Sequence, residues 1–312
     1  MATTKLNIAD LVARMPATDK EIEMQKPLPP DGTKKTRGSG DWESRGDGSK
    51  FTAPDPAEAE KIFDEILAGG RDSLEELVKS IQDPASPDFK NYKAEYLCHG
   101  LAVYVGRPNK AEVRRLFVDA LTAQVADEKL SLHTRGFLTR ELQLVGGPEA
   151  VSALGKLLTD EKLCTDAART LLAIGNGAVE QLRAALPRVS GKCRLVLMQS
   201  LAACGDAASS DAMRAALADP DRDMRLAAVW GLARIADEGA ADLLLKAADV
   251  APSFERTKAT QACLLLAENL LAAGKKKAAV GIYTRLRDSR TEAEERYIRD
   301  LAAKALRALG EG

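Results

Sequence analysis

Basic side chains recur along the sequence at intervals that would bring them to one point on successive helices. Helices stacked about 10 Å apart would align these charges into a ladder that can bind a phosphate backbone or an acidic peptide. One aromatic residue near the end of the series, Tyr283, could add a contact. The candidate binding residues are Arg114, Arg115, Lys156, Arg183, Arg214, Lys246, Tyr283 and Arg285. Carboxylates on the same helices leave a second interpretation open, an ordinary solvated surface: Asp119, Glu180, Asp211 and Asp242.

Side chains that could perform catalysis are few. The sequence has two histidines, His99, which follows Cys98, and His133. Adjacent residues on a helix point roughly 100° apart, so Cys98 and His99 would not face each other as a nucleophile and its base. The sequence has no P-loop, no nucleotide-type glycine pattern and no nucleophile elbow. It therefore predicts no catalytic residue, no metal ligand and no cofactor.

Cysteine usage and apolar patterning bear on the compartment. The five cysteines have no metal-ligand spacing and fall in apolar helical patterns: Cys98, Cys164, Cys193, Cys204 and Cys263. We therefore predict that they pack as free thiols, which is typical of a reducing compartment. No apolar run approaches the length of a membrane span, and residues 1–9 lack the pattern of a secretion signal. These features predict a cytoplasmic protein.

Composition favours an all-helical core. Of the 312 residues 45% are hydrophobic but only 4% are aromatic, so the core must consist of Leu, Ala, Val and Ile, which suits close helix packing. The net charge of -1 provides no global basic field of the kind that dedicated nucleic-acid or anionic-membrane binders usually carry. We expect a protein partner of unknown identity rather than nucleic acid or a membrane.

A helix–turn–helix unit repeats along most of the chain, and its clearest copy is residues 219–245. A polar turn at 219–221 precedes apolar residues spaced three and four apart, and a break at 236–239 precedes a second apolar face. Similar segments recur every roughly 30–40 residues, an interval typical of a helical solenoid. Each first helix closes on a small residue, usually glycine, which ends helices in the left-handed conformation: Gly106, Gly146, Gly175, Gly205, Ala236, Gly274 and Gly310.

These copies resemble HEAT repeats, of the short bacterial kind related to the HEAT-like repeats of phycobilin lyases. The resemblance covers about residues 55–309 and rests on a few positions of the best copy and its neighbours: Asp219, Asp221, Arg225, Ala228, Leu232, Ile235, Leu171, Ile174, Gly175, Leu201, Cys204 and Gly205. It implies an all-α, right-handed α-α superhelix of about seven helix pairs. It also implies that the second helix of each pair lines the concave face, where the basic series would lie.

Two regions differ in composition. Residues 1–54 are predicted to form a flexible arm, because 27–50 are rich in Gly, Pro, Ser and charge. A short helix is possible at 7–15, and Trp42 is a candidate contact residue in the arm. Residues 55–312 are predicted to form the solenoid. Trp230, among Ala and Leu in a predicted first helix, is expected in the core.

The fold leaves several functions open. Our first hypothesis is a non-enzymatic protein-binding or scaffolding module that uses the concave face of the solenoid. One alternative is an enzyme or enzyme subunit of lyase type on the same repeats. Another is a structural subunit of a larger complex, docked through the N-terminal arm.

Overall fold

The computed structural model describes residues 6–15, 56–87, 89 and 93–311. The described residues form α-helices and short 3-10 turns and contain no β-strand. The chain divides into two compact units, Met1–Leu157 and Leu158–Gly312. Each unit consists of consecutive helix pairs, so the all-α, HEAT-like fold predicted from the sequence is confirmed, with seven pairs in the described part of the chain.

In its described residues, unit 1 contains a short leading helix and three helix pairs. Its helices are α1 (Ile8–Arg14), α2 (Pro56–Ala68), α3 (Gly70–Lys79), α4 (Lys93–Val105), α5 (Ala111–Val125), α6 (Leu132–Val145) and α7 (Pro148–Leu157). Apolar residues at helical spacing fill the space between them, because such spacing places them on one face. First helices pack on first helices, as α4 does on α6.

Part of the predicted flexible arm is packed on unit 1. Helix α1 contacts α3 and α4, and Ile8, Leu11 and Met15 are buried. Arg14 adds ion pairs to Glu58 at 2.6 Å and to Glu65 at 3.1 Å. Residues 6–15 therefore dock as an amphipathic helix rather than extend freely. The rest of the predicted arm, with Trp42, lies outside the described residues.

Unit 2 contains four helix pairs and a last helix. Its helices are α8 (Cys164–Ile174), α9 (Ala178–Ala185), α10 (Gly191–Cys204), α11 (Ser210–Ala216), α12 (Arg222–Arg234), α13 (Ala241–Ala247), α14 (Phe254–Ala272), α15 (Lys276–Ser289) and α16 (Arg296–Ala308). Short 3-10 turns lie at Leu186–Arg188, Ala207–Ser209, Glu238–Ala240 and Ala293–Glu295. The first helices α10, α12 and α14 pack side by side.

The repeated small residue at the end of the first helices has the predicted conformation in most copies. The backbone is left-handed (φ 53–76°) at Gly175, Gly205, Ala236, Gly274 and Gly310. Gly146 instead closes α6 with a φ of -61°, and Gly106 also lacks a positive φ. The prediction that glycine ends the helix in the left-handed conformation is therefore wrong for these two copies.

The prediction of five free cysteines is wrong for one pair. A disulfide joins Cys164 at the start of α8 to Cys193 in α10. The two residues are 29 apart, close to one repeat, so they fall on neighbouring first helices with their Cα atoms 5.8 Å apart. Among the described cysteines, Cys98 and Cys263 are free and buried, while Cys204 is free and exposed.

Candidate functional site

Two members of the predicted basic series form identical ion pairs inside unit 2. Arg183 of α9 donates two hydrogen bonds to Asp206, at 2.9 and 2.7 Å. Arg214 of α11 binds Asp237 in the same bidentate manner, with its Nε 2.9 Å from Oδ2. Each aspartate lies in the turn after the first helix of the next pair. These arginines therefore connect successive repeats rather than point toward a ligand, and we call the two pairs the repeat clamps.

The remaining basic candidates are in varied surroundings. In unit 1, Arg114 of α5 pairs with Glu149 of α7 at 2.9 Å, a contact comparable to the repeat clamps. Arg115 is largely exposed, with Asp119 3.9 Å away, and Lys156 is exposed. Tyr283 is only 3% exposed, so it packs in the core of unit 2 and cannot contribute a surface contact. The binding role stays a prediction for the exposed members of the series.

The last two members of the series line a groove of mixed charge. Lys246 of α13 and Arg285 of α15 lie on a groove of about 600 Å³, together with Glu238, Asp242 and Asp249. The three carboxylates are matched by these two cations together with Lys275, which pairs with Glu238 at 3.4 Å. This groove therefore lacks the positive charge that a phosphate backbone or an acidic peptide would require.

The repeat clamps make the stability of unit 2 depend on pH in the acidic range. Hydrogen bonds from Arg183 hold the pKa of Asp206 below its usual value, against a smaller effect of burial. Burial raises the pKa of Asp237, but the hydrogen bonds from Arg214 and Ser210 outweigh it, so that the net shift is also downward. A carboxyl with a lowered folded-state pKa stabilises the fold above its unfolded pKa of about 3.9, and this stabilisation is lost as the pH falls through the folded value.

We therefore expect the urea midpoint of the chain to fall between pH 5 and pH 3, with a shallower fall in the double variant Asp206→Asn, Asp237→Asn. Urea unfolding followed by circular dichroism measures this difference. Asp211→Asn serves as the control, because Asp211 is exposed on the same helix as Arg214. An unchanged pH response in the double variant would contradict the contribution assigned to the clamps.

The face of unit 2 formed by its first helices carries an apolar groove of about 810 Å³. Trp230 is 39% exposed and Phe254 is 58% exposed, and both line the groove. The prediction that Trp230 belongs to the core is therefore wrong. We call this surface the aromatic groove, and its lining residues are Gln199, Ala203, Asp223, Leu226, Ala227, Val229, Trp230, Phe254, Lys258, Gln261, Ala262 and Leu265.

Cationic side chains lie over both aromatic rings. The guanidinium of Arg234 is 5.1 Å from the centre of the Trp230 ring. Arg222 and Lys258 lie 5.8 and 5.5 Å from the centre of the Phe254 ring. Such contacts restrain the rings, and the exposed fractions of Trp230 and Phe254 leave part of each ring surface available to a partner.

The position of Trp230 is polar in five of the six other copies. Trp230 precedes the closing residue Ala236 by six positions, and the same position in five other copies is exposed. Those copies carry Arg140, Arg169, Gln199, Glu268 and Lys304. Trp230 therefore places a large aromatic residue at a surface position where most copies carry a polar one. Alignment of the copies on their closing residues indicates that this position is exposed. The Ala and Leu neighbours of Trp230 nevertheless favour a core position.

The two histidines of unit 1 bind carboxylates rather than a common site. His99 Nδ1 lies 3.0 Å from Oε2 of the buried Glu141, and this hydrogen bond raises the pKa of His99. His133 pairs with Glu95. Both pairs join α4 to α6. Cys98 is fully buried, and burial raises the pKa of its thiol well above the usual value, which disfavours the reactive thiolate. Within the described part of the chain, no group of three His, Cys, Asp or Glu residues could hold a metal ion.

Comparison with known proteins identifies the repeats. The family model described as HEAT repeats matches residues 179–264, which include the clearest copy and both repeat clamps. Residues 179–264 are therefore HEAT repeats, as predicted from the sequence. No curated protein matches it. None of the described helices is long and apolar enough to cross a membrane.

Several solved structures are similar to the chain. One is the complex of CpcE and CpcF of phycocyanin lyase from Nostoc sp., with 19% identity and a TM-score of 0.40 over 74% of this chain and 94% of that one. An engineered protein has 21% identity and a TM-score of 0.30, covering 75% and 96%. Human deoxyhypusine hydroxylase in complex with glycerol has 15% identity and a TM-score of 0.30, also covering 75% and 96%.

Proposed function

We propose that the protein is a non-enzymatic protein-binding module and that its binding surface is the aromatic groove. The observation that carries this proposal is the pair of exposed rings, Trp230 and Phe254, in one apolar groove. Aromatic and arginine side chains supply most of the binding energy in protein interfaces. A groove built on stacked helices is organised before binding, so little ordering cost falls on this side of the complex.

This proposal moves the binding surface away from the face first predicted. The second helices of unit 2 use Arg183 and Arg214 in the repeat clamps, and the Lys246 and Arg285 groove carries no excess of positive charge. A lyase-type enzyme and a structural subunit docked through the arm stay as alternative hypotheses. No contact described above favours either of them over the aromatic groove.

We predict that Trp230→Ala weakens binding of the partner by about 2 kcal/mol or more, roughly thirtyfold in Kd, as expected for an aromatic anchor. The measurement compares proteins retained by the tagged wild type with those retained by Trp230→Ala, with quantitative mass spectrometry. Leu243→Ala is the matched control, because Leu243 is also 39% exposed but lies on α13, outside the groove.

Partners lost with Trp230→Ala and kept with Leu243→Ala would support the assignment. If all three proteins retain the same partners, the assignment is contradicted. The basic series and the enzyme hypothesis would then become the leading explanations. Circular dichroism must show the same helical content for the variants, so that the loss reports the surface and not the fold.

A further inference from the structure

From the aromatic groove we infer the chemistry of the partner: an acidic amphipathic helix of about two to three turns. This inference rests on the proposed function and specifies what the groove binds. Three observations support it: the spacing of the lining residues, the positive charge of the rim, and the neutral acceptors to which the remaining rim cations donate.

The lining residues define an elongated groove. On α12 they are Asp223, Leu226, Ala227, Val229 and Trp230, which extend about 10 Å along the helix at 1.5 Å per residue. On α14 they extend from Phe254 to Leu265, about 16 Å by the same rise. A groove of this length between helices accommodates about 7–11 residues of a partner helix, whose apolar side chains at i, i+3 or i+4, and i+7 would meet the rings.

The rim of the groove is positively charged. Three cations, Arg222, Arg234 and Lys258, lie against the rings, whereas the lining contains one carboxylate, Asp223. That carboxylate pairs with Arg222. Two positive charges therefore remain, and an interface of this charge selects an acidic partner.

The two remaining cations have only neutral hydrogen-bond acceptors among their described contacts. Arg234 donates to the carbonyl oxygens of Ala202 and Ala203, both at 3.1 Å. Lys258 donates to the amide oxygen of Gln261 at 3.2 Å. These bonds hold the cations at the groove without neutralising them. A nucleic acid would need a longer series of cations than this rim offers, whereas the apolar floor between the cations suits leucine-like side chains.

The test is a selection from a displayed library of random 16-residue peptides on the immobilised full chain, with Trp230→Ala selected in parallel. We expect the enriched peptides to carry apolar residues at i, i+3 or i+4, and i+7 and a net negative charge, and we expect no enrichment of these sequences on Trp230→Ala. The Kd of synthetic copies follows from Trp230 fluorescence in the variant Trp42→Phe, since the chain has two tryptophans.

Charge reversal then tests the rim directly. The double variant Arg234→Glu, Lys258→Glu should raise the Kd of the enriched acidic peptides at least tenfold. Lys304→Glu is the matched control, because Lys304 is exposed at the position equivalent to Trp230 in the last copy, and it should leave the Kd unchanged.

Enriched peptides without an excess of acidic residues, or with an excess of basic ones, would overturn the inference, and so would a Kd that charge reversal leaves unchanged. Concentration-dependent dimerisation abolished by Trp230→Ala would also overturn it, because the occupant would then be a second copy. In each of these cases the proposed function stands if Trp230→Ala still removes captured partners, so the two failures are distinguishable.

Discussion

Replacing Arg290 with alanine is expected to lower the free energy of unfolding by about 3–5 kcal/mol, through the cavity it leaves and the buried acceptors that lose their donor. Arg290 follows α15 and is 1% exposed. Its Nη2 donates to the carbonyl oxygen of Ala248 at 2.8 Å and to the hydroxyl of Thr260 at 3.2 Å. Its Nε lies 3.7 Å from Oε1 of Glu295. The guanidinium therefore connects three segments of unit 2.

The cost of this substitution comes from the groups that it leaves behind. Burial lowers the pKa of Arg290, with the nearby Arg256 adding to the effect, so this charge is already held at some cost. Alanine would leave a cavity and a buried carbonyl oxygen of Ala248 without its donor. Glu295 would keep its two hydrogen bonds from Arg256, at 2.8 and 2.6 Å, so the loss concerns Arg290 itself.

Urea unfolding of the full chain, followed by far-UV circular dichroism, measures this loss. Arg296→Ala is the control, because its side chain is 76% exposed and pairs with Asp300 only at 3.5 Å. Its effect should stay within about 0.5 kcal/mol. Equal midpoints for Arg290→Ala and the wild type would show that the buried network contributes nothing to stability.

The helices were predictable from the sequence because their determinants are local. The turn before α12 (Arg222–Arg234) consists of Asp219, Pro220 and Asp221, and the side chain of Asp221 caps the helix by accepting from the backbone of Asp223. Apolar residues at three- and four-residue spacing then determine which face is buried. The same two signals recur in each copy, so the repeat and the all-α fold followed from the sequence.

The repeat clamps show what local patterns omit. Arg183 and Arg214 were recognised as a recurrent basic position, but their partners Asp206 and Asp237 lie in the next pair, 23 residues further in both cases. A search for charges that repeat with one common offset would have found them. Considered without their partners, the two arginines indicate a binding site for an anionic ligand.

Exposure of the aromatic groove was harder to predict. Whether a residue in a first helix faces the core or the solvent depends on its position relative to the closing residue, and Trp230 is one step away from the buried Val229 and Gly231. Phe254 begins α14 and has a Pro-containing connection before it, so no preceding helical turn defines its face. The exposure of these two residues depends on how α10, α12 and α14 pack. Local sequence patterns do not determine this packing.

The disulfide between Cys164 and Cys193 is expected to make unit 2 sensitive to reductant. A cross-link that closes a loop of 29 residues restricts the unfolded chain and stabilises the fold by about 3–4 kcal/mol in the loop-entropy description. For a unit of this size, reduction should then lower the Tm by about 10 °C. Thermal unfolding with and without reductant measures the difference, and Cys193→Ala should melt at a lower temperature whether or not reductant is present.

Cys204→Ser is the control for this prediction, because Cys204 is the free, exposed cysteine of the same unit and its replacement should preserve the full response to reductant. Titration of thiols in the denatured, unreduced protein provides an independent count: three reactive thiols are expected, from Cys98, Cys204 and Cys263. Five thiols and a Tm that does not respond to reductant would mean that the bond does not form. Because Cys164 and Cys193 are both buried, the folded protein should react slowly with reductant, at a rate set by the opening of α8 from α10.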